Sequence, residues 1–152
     1  MEHRERDKDN PAKIFLRRYR QAEQCLDSTQ ARMQELRDKC YRTTGKVKAI
    51  NLAPTGRCDF SSSLLDIISQ EERLKADIAK QSQILAQVLI LINRVDAKYQ
   101  PLLRYRYING YSWMIILNKF RKADGHHYAL EYLFKLHGEA LAQANEMLAK
   151  LG

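Results

Sequence analysis

Cysteine is scarce and unpaired in this sequence: Cys25, Cys40 and Cys58 are the only three, and no two stand in a CxxC spacing. That excludes a thiol redox motif and a cysteine-rich zinc site, and an odd, scattered set fits a reduced cytosolic compartment. Long apolar runs are missing too. The longest, Ile84 to Ile92, contains Gln87 and is far too short to span a bilayer, so no membrane partner is expected. The opening MEHRERDKDNPAK has no apolar segment of the kind a signal peptide requires. Walker-type loops, GxGxxG, carboxylate pairs and nucleophile–histidine arrangements are also absent. The chain is therefore read as non-enzymatic and without a cofactor.

Positive charge is what the sequence does have. Its 26 basic and 18 acidic residues leave a net +8, which favours a polyanionic partner. The excess is uneven: residues 1–60 carry +5, residues 61–96 carry −1, and residues 97–152 carry +4. The first ten residues are almost all charged and read as a disordered tail.

Pro11 can open a helix, since its missing N–H costs nothing in the first turn. Beyond it, Phe15, Tyr19, Ala22, Leu26, Thr29, Met33, Leu36 and Cys40 recur in alternating steps of four and three. Arg17, Arg18, Arg20 and the other charges lie off that seam, and the spacing predicts one helix over about residues 12–43. Residues 45–63, with Gly45, Pro54, Gly56 and a serine run, read as a connecting loop. Lys46, Lys48 and Arg57 make it basic, which serves either nucleic-acid contact or plain solubility. Ser62 or Ser63 offers the next N-cap, with Asp66 as its partner. A second seam follows: Leu64, Ile67, Glu71, Leu74, Ile78, Gln81, Leu85, Val88, Ile92 and Val95. Its polar members Glu71 and Gln81 would fix register. Two long helices and one loop predict an antiparallel hairpin over residues 11–98; a parallel dimeric coiled coil is the competing arrangement, and either leaves room for a homodimer.

Pro101 interrupts the helical pattern and marks the expected boundary of a second domain, residues 99–152. There Leu102 to Ile108 form a short amphipathic run, Asn109-Gly110 break it, and Ser112 can cap the run from Trp113 to Leu117. Asp124-Gly125 precede a final helix from about Gly125 to Leu151, with a seam at Leu130, Phe134, His137, Leu141, Ala144, Leu148 and Leu151. The expected fold is all-α: a long antiparallel helical hairpin followed by a three-helix helix-turn-helix domain. Trp113 reads as core. His126 and His127 are adjacent, about 100° apart on a helix, and His137 is too distant to join them, so no metal site is expected.

A helix-turn-helix lays its second helix in the major groove while nearby cations neutralise phosphates. The candidate phosphate contacts are Arg104, Arg106, Lys119, Arg121 and Lys122; the candidate base readers are His126, His127, Glu131 and Lys135. The alternative is that short helices cap the hairpin and these cations are merely solvated.

LLRYRYINGYSW followed by an apolar run resembles region 4 of bacterial sigma factors. With FKLHGEAL (134–141), it is similar to a family of small phage and prophage proteins that carry a sigma-like C-terminal domain behind a helical hairpin. The resemblance extends from about residue 15 to the end. It implies a phage transcription regulator that binds double-stranded promoter DNA in the bacterial cytoplasm, in contact with host RNA polymerase. One departure stands out: Trp113 and His137 are 24 residues apart, about two turns more than the family pattern. Either Tyr128–Lys135 is the front of the recognition helix, or that helix begins at Asp124. A rival reading makes the chain a helical protein-interaction module, or an inhibitor of a host defence enzyme or polymerase, without specific DNA binding.

Overall fold

The computed structural model describes residues 10–50, 57–122 and 124–151. Among them are five α-helices and one turn of π-helix: α1 (Pro11–Ile50), α2 (Arg57–Arg94), α3 (Gln100–Leu103), the π-turn (Arg104–Ile108), α4 (Trp113–Lys119) and α5 (Leu130–Leu151). The fold is all-α, and α1 and α2 form a long antiparallel hairpin within one chain.

Asn10 starts α1. Its side-chain oxygen accepts from the backbone N–H of Ala12 at 3.1 Å and of Lys13 at 3.4 Å, and Pro11 occupies the first helical position. Every position of the two expected seams, from Phe15 to Cys40 and from Leu64 to Val95, is buried or half-buried. Glu71, a polar seam member, pairs with Lys75 one turn on at 3.4 Å. Both helices outrun the expected loop of 45–63. α1 continues through Gly45 to Ile50, and α2 already begins at Arg57, so Ser62 and Ser63 lie inside a helix and do not cap it. A single interior glycine costs about 1 kcal/mol, too little to end a helix of this length. The expected tail, apart from Asn10, and the middle of the expected loop lie outside the described residues.

The chain divides into two compact units, and the division does not fall at the expected boundary before residue 99. One unit is Glu23–Gln83, the hairpin alone. Among the described residues its buried apolar side chains are Met33, Leu36 and Ile67. The other unit joins the chain up to Ala22 with Ile84 onward. Here Ala12 and Leu16 of α1 and Val88, Leu91, Ile92 and Val95 of α2 share one core with Leu102, Leu103, Tyr107, Ile116 and the buried face of α5. Of the apolar run at 84–92, Val88, Leu91 and Ile92 are buried in this core, whereas Leu89 and Ile90 remain exposed.

Side-chain amides make the corner that follows α2. Gln100 donates to the Val95 carbonyl at 2.9 Å, Arg104 donates to the Asn93 side chain at 2.6 Å, and Gln143 of α5 accepts from the Asp96 N–H at 2.8 Å. Pro101 sits in the first turn of α3, where proline is tolerated. The chain then widens into the π-turn, closed by Asn109 N–H on the Arg104 carbonyl at 2.9 Å. Gly110 ends it with φ +69°, in the left-handed region, and a Cβ there would collide with the Arg20 guanidinium. Ser112 caps α4 as expected, accepting from Ile115 N–H at 3.4 Å.

The last helix starts later than its sequence pattern implied. Between α4 and α5 Lys122 N–H reaches the His126 carbonyl at 2.8 Å, Arg121 and His127 make an isolated antiparallel bridge, and Gly125 takes φ +87°. His126 and His127 therefore precede α5 and do not lie on it. The ten-residue link from α4 to α5 also exceeds the three or four residues typical of a helix-turn-helix. On α5 the buried stripe is Leu133, Leu136, His137, Ala140, Leu141 and Ala144, broader than the expected seam. Phe134 and Leu151, both expected inside, are 46% and 48% exposed. A helix packed against several elements buries a wide stripe; a two-helix seam would bury a narrow one.

Candidate functional site

Two surfaces of the C-terminal unit gather functional side chains. The first is the turn between α4 and α5 with the front of α5. Lys119, Arg121, Lys122, His126, His127, Glu131 and Lys135 are all exposed there. Lys119 lies 5.2 Å from the Tyr111 ring and Lys122 lies 5.7 Å from Tyr128, which stacks on Tyr132 at 4.7 Å. His126 faces Asp124 at 3.2 Å, an exposed contact that adds little. Asp124 also accepts from the His126 backbone N–H at 3.0 Å, which shapes the turn. Of the two candidate starts for a recognition helix, Asp124 is in the turn and residues from Leu130 are helical.

Two other expected contact residues are engaged inside the unit. Arg104 is exposed but held by Asn93. Arg106 is half-buried, donates to the Tyr111 carbonyl at 3.0 Å and lies 4.9 Å from the centre of the Trp113 ring. Trp113 is half-buried against the core, as expected, and meets both Phe134 and His137 edge to face at 5.0 and 4.9 Å. His137 is buried and shares a 2.8 Å hydrogen bond with the Tyr107 hydroxyl.

The second surface is a cavity of about 440 Å³ that the sequence reading missed. Lys13, Arg17 and Arg20 of α1 line one side, one stripe of that helix at spacings of four and three. Arg106 joins them from the π-turn, and Tyr107, Trp113, Phe134 and His137 supply the aromatic wall. Among the described residues no carboxylate lines it. The available signal was local: three cations off the α1 seam near Pro11, in a chain whose excess charge sits at both ends. What sequence could not supply was their meeting with residues some 90 to 120 positions later.

Gly138 also lines the cavity, in the middle of α5, and a Cβ there would meet nothing within 4 Å. Packing therefore does not require glycine. Gly138→Ala should raise the unfolding free energy by about 0.5–1 kcal/mol, read by urea denaturation, because alanine loses less backbone entropy in a helix.

No protein-family model matches this chain, and no curated protein or solved structure matches it significantly.

Proposed function

We propose that this protein is a phage-type transcription regulator that binds double-stranded DNA sequence-specifically and performs no chemistry. The observation that carries the proposal is the group of exposed cations at the end of α4, in the turn, and on the front of α5. Lys119, Arg121 and Lys122 neutralise phosphates there, and His126, His127, Glu131 and Lys135 read base edges. Arg106, occupied by Tyr111 and Trp113, supports this surface from within. The long turn places Arg121 and Lys122 ahead of α5, so phosphate contact precedes the helix that reads the groove.

Lys119→Ala combined with Lys122→Ala should weaken binding to every duplex by roughly tenfold and reduce the salt slope by about 2. Lys135→Ala should instead change the sequences recovered from a randomised duplex library. Fluorescence anisotropy at two salt concentrations measures the first effect. Wild-type binding by both variants would sink the assignment.

One observation favours a second reading, a protein-interaction module that docks on host RNA polymerase or another host protein. Met114 is 61% exposed and Ile115 is 45% exposed on α4, and Tyr132 is 44% exposed on α5. Apolar exposure of this kind marks protein contacts. Absence of duplex binding at low salt, with recovery of polymerase in a pull-down, would select this reading.

A further inference from the structure

We propose that the cavity between the start of α1, the π-turn and α5 binds a small nucleoside phosphate. Arg17 and Arg20 take the phosphate, and the base lies against Phe134 and Trp113. This site does not depend on duplex contact by the 119–135 surface.

Four arguments converge on it. Among the described residues the cavity's charged lining is cationic, and Arg17, Arg20 and Arg106 make no ion pair with any of them. Cations held close together without acids repel one another, and an anion between them relieves that repulsion. Arginine also suits phosphate because its planar donors bind two oxygens at once.

The guanidinium groups are held in place before any ligand arrives. Arg20 donates to the Asn109 carbonyl at 3.2 Å and leaves further N–H groups to offer. Arg106 is fixed by the Tyr111 carbonyl and the Trp113 ring. Placement of this kind lowers the ordering cost of binding.

The opposite wall is aromatic and partly open. Phe134 keeps 46% of its surface exposed although it sits beside Trp113, and a base has a π-face to lay on such a ring. Gly138 keeps that wall open where any larger side chain would project. A volume of about 440 Å³ lies within the usual range for small-ligand sites.

Trp113 is the only tryptophan in the chain, so its emission reports the cavity directly. The full chain would be titrated with adenosine and guanosine monophosphate, with the matching nucleosides, and with inorganic phosphate, calorimetry running in parallel. Saturable binding of a monophosphate, at least tenfold tighter than its nucleoside and than inorganic phosphate, is the expected result. Arg17→Ala should weaken it by roughly tenfold, the loss of one charged hydrogen-bonding partner. Arg18→Ala removes the same charge one residue away but outside the cavity lining, and should leave binding within about twofold of wild type. Gly138→Leu, with unchanged helicity by circular dichroism, should abolish binding by filling the wall. The proposal is overturned if no monophosphate binds saturably, if inorganic phosphate binds as well as the nucleotide, or if Arg17→Ala and Arg18→Ala behave alike.

Discussion

Leu16→Ala should lower the stability of the C-terminal unit by about 3 kcal/mol, as truncation of a fully buried leucine does. Leu16 has no exposed surface and belongs to the same core as Ile92, Leu102, Ile116 and Leu133. Small domains are stable by only about 5–15 kcal/mol, so this loss is a large share of the total. The measurement is urea denaturation followed by Trp113 emission. Trp113 is nearly a hundred residues away in sequence but packs against that core. If α1 were only an arm of the hairpin, the Trp113 transition would keep its wild-type midpoint. A midpoint shift equal to that seen by circular dichroism shows instead that α1 is part of the C-terminal unit.

Asn145→Ala should cost about 2 kcal/mol, a large effect for one polar side chain on a helix. Its side-chain oxygen accepts from Ala12 N–H at 2.8 Å, and its amide nitrogen donates to the Asn10 side chain at 3.1 Å. The pair thus closes the first turn of α1 on the last turns of α5. Free N–H groups at a helix start need acceptors, and losing a cap costs about 1 kcal/mol, more where the site is withdrawn from water. Asn10→Ala should produce a similar loss. The double variant should lose less than the sum by about 1 kcal/mol, because both side chains accept from Ala12 N–H and bond to each other. Strict additivity in a double-mutant cycle would mean that the two amides act independently. The clamp also bears on the proposed ligand site, since Asn10 lines the cavity and fixes where Lys13 and Arg17 begin. Asn145→Ala should therefore weaken nucleotide binding even under conditions where the protein remains folded.

The sequence by itself determined the features that repeat or that a single residue imposes. The seams of α1 and α2 were legible to the residue, because a helix in a two-helix pairing must place an apolar side chain inward every three or four positions. Pro101, the Asn109-Gly110 break and the Ser112 cap were legible for the same local reason: each fixes a dihedral or satisfies a backbone group within a few residues. Helix ends were less so. Gly45 resembles a terminator, but its penalty is small beside the stability of a long helix, and α5 begins only after a turn held by Lys122, Asp124 and His126.

Tertiary structure alone decided which residues meet. Phe134 fits the α5 seam by spacing, yet packing of α5 on several neighbours turned it outward beside Trp113. Arg17 and Arg20 read as a solvated face of α1 until the fold set them opposite Arg106, Phe134 and Gly138. Asn145 carried no signal at all, since its partners stand more than 130 residues away. Periodicity records where a helix is buried, not what buries it, so the candidate DNA surface was readable as a run of cations and the cavity was not.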